Sequence, residues 1–133
     1  MNRNFAAGLL LLRLATGGLM LFHGVAKLQK GVSGMGSMLQ SKGIPAFVAY
    51  GVYVGEVLAP LLLIIGFRSR IAALLIAFTM VVAVATAHPE DIGKLSDSGA
   101  WAIELPALFF FNSIALFCTG GGALAVSRSS RWD

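Results

Sequence analysis

With 133 residues, the chain is long enough for one domain and too short for two. Its residues are 57% hydrophobic and 12% charged, with a mean hydropathy of +0.83, against roughly 25% charged in soluble domains. That excludes an ordinary water-exposed surface and points to a body embedded in lipid. The formal net charge is +4, but the basic residues sit scattered at segment ends instead of forming a stripe or run, which excludes nucleic acid as a partner.

Four apolar segments approach or reach the roughly 20 residues needed to cross a bilayer. The predicted fold class is therefore all-α: a polytopic membrane four-helix bundle, forming a single integral membrane domain over 1–133. The first span covers about 5–28 and contains Arg13, His23 and Lys27. Its apolar core is interrupted by Arg13, and no small-x-small site follows, so it reads as a span and not a cleaved signal peptide. The loop "QKGVSGMGSMLQSKGIP" is rich in Gly, Ser and Lys, with a short interfacial helix expected around Met35–Gln40.

The second span covers about 46–66 and carries Glu56 four residues before Pro60. Proline has no N–H, so the Glu56 carbonyl loses its helical donor just where the side chain also wants polar company. Gly51, Gly55 and Ala59 recur at four-residue spacing beside it, a face that permits close helix approach. "GFRSR" then forms a tight basic turn after a glycine suited to ending a helix. The third span covers about 71–88 and ends at His88, which Pro89 biases away from helix. Asp97 or Ser98 is placed to cap the fourth span, about 101–118, which contains Glu104. Cys118, the single cysteine, excludes an internal disulfide and reads as a small core residue.

Arg3, Arg68, Arg70, Arg128 and Arg131 fall on one side, while Lys27, Lys30, Lys42 and Lys94 fall on the other with Glu90, Asp91 and Asp97. Counting Lys and Arg places both termini in the cytoplasm. Glu56 then lies roughly 15 Å from the outer face, with Arg13 below it and His23 above. Charges at such depth face the bundle interior and find partners. Arg13 is expected as the structural counter-ion of Glu56, and His23, Glu56 and Glu104 as the candidates for proton or catalytic work, with His88 joining them in ligand binding. Two other readings stand beside this one: Arg13–Glu56 as a buried ion pair that only fixes helix register, and Lys27 as an interfacial side chain that snorkels. No metal site is expected, because the histidines and glutamates lack local ligand spacing.

The stretches "LLRLATGGLMLFHGVAKL", "KGIP", "GEVLAPLLLIIGFRSRIAALLIAFTMVVAVATAH" and the tail "TGGGALAVSR" occur in an order and spacing that resembles the DoxX family of small bacterial membrane proteins. The resemblance implies a multi-pass bundle in the bacterial cytoplasmic membrane. It maps the family's helix-1 pattern onto Arg13, His23, Gly24 and Lys27, and its later acidic and histidine positions onto Glu56, His88 and Glu104. Ala59–Pro60 departs from the glycine-rich run that many members carry after the glutamate.

Some members are membrane subunits of thiosulfate–quinone oxidoreductases, and others belong to oxidative-stress or thiol redox systems. A redox subunit is thus implied, with a non-covalently bound quinone as cofactor and a soluble redox protein as partner. The sequence has no flavin, haem or iron–sulfur ligation pattern, so any enzymatic activity would belong to an oxidoreductase formed with that partner. The competing classes are a non-catalytic membrane anchor for a soluble enzyme and a small proton-coupled transporter. A thiol oxidoreductase fails on the cysteine count.

Overall fold

The computed structural model describes residues 2–133. Among them are five α-helices, and the only β pairing is an isolated bridge between Leu95 and Trp101. Helix α1 (Arg3–Lys30) starts where the Asn2 side chain accepts the Asn4 N–H and stops at Gly31, whose φ of 76° no side-chain-bearing residue adopts readily. Helix α2 (Ser33–Ser41) is the expected short helix of the first loop, and it packs Leu39 with Val32 and Ala49 in a small satellite cluster.

The second span, Ala46–Ile65, changes its winding along its length. It opens as 3-10 turns over Ala46–Gly51, widens to a π turn over Val54–Leu58, and finishes as helix α3 (Ala59–Ile65). The π turn sits immediately before Pro60, where the missing N–H would have broken an α-helical ladder, and in it the Ala59 N–H reaches back five residues to Val54. Gly66, in the left-handed conformation, then closes the helix, with Phe67 N–H donating to the Leu62 carbonyl at 2.9 Å. Helix α4 (Ser69–Ala87) follows directly.

The last helix, α5 (Glu104–Thr119), corrects the expected span. Residues 101–103 belong instead to a small turn in which Ala102 N–H donates to the Lys94 carbonyl, and Asp97 and Ser98 lie in that turn and cap nothing. Pro106 explains the shift: a helix starting at residue 101 would carry proline in its interior, whereas a start at Glu104 keeps it in the first turn, where its missing N–H costs nothing. At 16 residues, α5 is about 24 Å long. Three helical stretches, α1, Ala46–Ile65 and α4, are long and apolar enough to cross a membrane.

Contacts run from α1 to the second span, from the second span to α4, from α4 to α5, and from α5 back to α1. Met20, Leu63, Ile76 and Leu116 fill the centre, with Ala72 and Ala73 fully buried between them. The outside is also apolar: Leu11, Leu19, Phe22, Leu58, Phe78 and Phe111 are all exposed. Such a surface is unfavourable in water and favourable in hydrocarbon, which matches the composition. Cys118 lies on this exposed side and not in the core where it was expected.

Close approach depends on glycines. A side chain at Gly24 would collide with the Glu56 carbonyl, and one at Gly55 with the Thr79 hydroxyl. Gly18, one residue past the buried Gly17, meets nothing within 4 Å. Gly24→Ala is therefore expected to lower thermal stability in detergent by about 1–3 kcal/mol, while Gly18→Ala raises it by up to about 1 kcal/mol through helix propensity. Equal effects of the two substitutions would contradict this packing.

Candidate functional site

The buried face of α1 reads Arg13, Thr16, Gly17, Met20 and Gly24, and Lys27 continues it. Lys27 is fourteen residues from Arg13, so the two are rotated by only roughly 40° around the helix. Arg13 and Lys27 are thus two cations on one stripe, which continues past Arg13 to the buried Leu9 and Ala6. The two cations satisfy different groups.

Arg13 is 1% exposed and touches no carboxylate. Its Nε donates to the Leu63 carbonyl at 2.9 Å, Nη2 to Ile64 at 2.8 Å, and Nη1 to Gly121 at 2.8 Å. Leu63 and Ile64 lie in the last turn of α3, at the negative end of the helix dipole; the Leu63 carbonyl also accepts the Gly66 N–H at 3.2 Å. Gly121 lies in the segment after α5. The expected Arg13–Glu56 ion pair is not formed; the guanidinium fork binds three backbone acceptors instead, a use that its five fixed donors suit well.

Glu56 is 3% exposed and sits in the π turn, where its Oε1 accepts from Lys27 Nζ at 2.5 Å. Lys27, 30% exposed, folds inward to reach it. The Tyr53 hydroxyl donates to the Lys27 main-chain carbonyl at 3.2 Å, fixing the end of α1 against the second span. Glu56 Oε2 is buried and has no hydrogen-bond partner among the described residues. This is a charge-assisted pair with one vacant acceptor, at a depth where vacant acceptors are costly.

The other candidates stand apart from the pair. His23 is exposed on the flank of α1 and meets Phe109 edge-on, with ring centroids 5.9 Å apart. His88 Nδ1 lies 3.1 Å from Asp91 Oδ2 in an exposed charged loop that also holds Lys94. Glu104 opens α5 with its side chain exposed, where a negative charge suits the helix N-terminus. No hydrogen bond or ion pair joins any of these three to Glu56 among the described residues, and no three His, Cys, Asp or Glu side chains there stand close enough to share a metal.

Lys27 is the partner of Glu56 that an interfacial position conceals. Its place near the membrane surface suggested snorkelling, yet it lies on the Arg13–Gly24 face, whereas His23 is rotated from Arg13 by roughly 80°. That angular difference was the available signal. Arg13→Met, which removes the donors of the Ile64 and Gly121 carbonyls and leaves Leu63 only the Gly66 N–H, is expected to cost about 3 kcal/mol or more by thermal unfolding in detergent. A change below about 0.5 kcal/mol would show that Arg13 does not hold these elements together.

The family model for DoxX matches residues 8–89, which include Arg13, Lys27 and Glu56. The chain is also similar to the Bacillus subtilis (strain 168) protein named "Putative oxidoreductase CatD", with 34% identity over 126 residues covering 95% of this chain and 89% of the relative. No solved structure matches it. On the family match and this relative, the chain belongs to the DoxX family.

Proposed function

We propose that this protein is a multi-pass subunit of a redox system in the bacterial cytoplasmic membrane, a four-helix bundle with both termini in the cytoplasm. Its polar working site is the Lys27–Glu56 pair. One observation carries the reading: Glu56 Oε2 is buried, belongs to a group already paired through Oε1, and has no donor of its own. A ligand bringing a hydroxyl or N–H to that oxygen would satisfy it and gain a charge-assisted hydrogen bond. The name of the Bacillus subtilis relative, an oxidoreductase, supports a redox setting for such a ligand.

A quinone is the lipid-soluble carrier whose chemistry fits these groups. Its hydroxyl form presents the donor that Glu56 lacks, and its carbonyl form accepts from an ammonium such as Lys27. When bound, it would supply the two-electron, two-proton chemistry that side chains do not provide. The chain's own part is to bind and orient. Glu56 accepts a hydrogen bond at Oε2, Lys27 holds the charge of the pair, and the surrounding apolar helices exclude water. His23, Glu104 and His88 are proposed as further ligand or proton-carrying groups toward the outer face. A soluble redox protein is the partner that would exchange electrons.

The apolar cavity between α4 and α5, about 340 Å³ and lined by Met80, Trp101 and Phe110 among others, does not suit a quinone head group. Its one evident donor, the Trp101 indole N–H, is already given to the Ile92 carbonyl at 2.7 Å. The head group is therefore assigned to the Lys27–Glu56 site.

The test is titration of a short-chain ubiquinone analogue into the protein in nanodiscs, wild type beside Glu56→Gln. The variant is expected to bind about tenfold more weakly, as one charge-assisted hydrogen bond is lost. Equal affinity would overturn the assignment. Binding of a soluble protein by both forms, without quinone, would favour an anchoring role.

A further inference from the structure

The end of the molecule opposite His88 holds a polar cavity, distinct from the Lys27–Glu56 site. After α5 the chain turns through Gly120 and Gly122, both at positive φ, and folds back across the α3–α4 turn. Ser127 N–H donates to the Gly66 carbonyl at 3.0 Å, and Arg70 N–H to the Trp132 carbonyl at 3.2 Å, so this segment is a docked strap. Between the strap and the helix ends lies a cavity of about 420 Å³ lined by Arg70, Thr119, Arg128, Arg131 and Asp133, among others.

Three arginines and one acidic residue, Asp133, are among the residues that line this cavity. Asp133 is engaged elsewhere: its Oδ2 accepts from the Ser127 hydroxyl and the Ser130 N–H, and Oδ1 lies 3.6 Å from Arg68. Partial desolvation pushes the Asp133 carboxyl up, but the Ser130 amide, the Ser127 hydroxyl and Arg68 outweigh it and hold it below its ordinary value. Its side chain therefore serves Arg68 and not the three lining arginines.

Arg70 uses Nε on the main-chain oxygen of Asp133, the last residue of the sequence, and Nη1 on the Phe117 carbonyl, and Arg128 uses Nη1 on the Ala123 carbonyl. Arg131 stacks on Trp132 at 5.2 Å. Among the described residues no side-chain carboxylate pairs with any of the three, and Arg128 and Arg131 approach no acidic group. The cavity therefore has more N–H donors and positive charge than the protein answers, a demand that a phosphate oxyanion meets with bidentate geometry.

We propose that this cavity binds the phosphodiester head group of an anionic phospholipid. Two further observations favour a lipid over free phosphate. The cavity lies where α4 begins and α5 ends, the level at which spans leave the hydrocarbon. Beside its lining residues, Leu124 and Val126 are 54% and 77% exposed, giving acyl chains an apolar surface next to the charge. Trp132, partly exposed under Arg131, has the amphipathic character of a head-group-level anchor. Arginines near a membrane surface also attract anionic lipid through the leaflet's potential.

The experiment is native mass spectrometry of the full chain in detergent, titrated with dioleoylphosphatidylglycerol, for wild type, Arg131→Gln, Arg128→Gln/Arg131→Gln and Arg3→Gln. Arg131 makes no hydrogen bond to the protein, so its single variant keeps the strap intact. Wild type and Arg3→Gln are expected to retain one lipid. The single variant should bind more weakly, and the double variant about tenfold more weakly. Retention by the double variant equal to wild type, or equal loss in Arg3→Gln, would overturn the proposal. Displacement of the lipid by millimolar inorganic phosphate, with phosphate itself retained, would show a free-anion site and also overturn it.

Discussion

A guanidinium buried inside an apolar body must find acceptors, and Arg13 finds three on the main chain. Two are carbonyls of the last turn of α3, and the third belongs to Gly121 in the strap. One side chain therefore joins α1, the end of the second span and the segment after α5, elements separated by up to 108 residues in sequence. Gly66 makes this possible, because a side chain there would run into both the Arg13 fork and Ala125. The turn into α4, the docking of the strap and the position of Arg70 all follow from this arrangement.

Because Arg13 binds carbonyls, Glu56 is left to Lys27. The carboxylate is presented by a π turn that absorbs the missing N–H of Pro60, and Gly24 lets α1 lie against the Glu56 main chain. Close packing and the widened turn bring Lys27 within reach of Oε1 while Oε2 stays vacant. Further buried hydroxyls without partners, on Thr16, Ser69 and Ser113, show that the interior as a whole carries unused polar capacity. Among the described residues that capacity comes with a charge at Glu56 Oε2, inside a span, and at Asp133 Oδ1, in the strap 3.6 Å from Arg68.

The apolar segments were legible because long hydrophobic runs leave few alternatives, and Gly66 marked the end of α3 through its conformational freedom. The start of α5 is hidden by an apolar run that reaches back to residue 101; Pro106, tolerated in the first turn alone, moves the helix start to Glu104. The π turn was visible only as a deficit at Glu56, since sequence shows a missing donor but not how the backbone accommodates it. The pairing of charges was the hardest part. Arg13, His23 and Lys27 share one helix, and choosing between them required rotation and depth together. Main-chain carbonyls, the real partners of Arg13, have no residue type to announce them. The strap was opaque for the same reason: its contacts are mostly backbone bonds made by a Gly- and Ser-rich segment.

That Lys27 and Glu56 act as one buried unit, separate from Arg13, is tested most directly by a double-mutant cycle. Thermal stability in detergent would be measured for wild type, Lys27→Met, Glu56→Gln and the double variant. A coupled pair predicts an interaction energy of roughly 1 kcal/mol or more, with the double variant losing less than the sum of the singles. Additive losses, or coupling of Glu56→Gln with Arg13→Met in place of Lys27→Met, would contradict it.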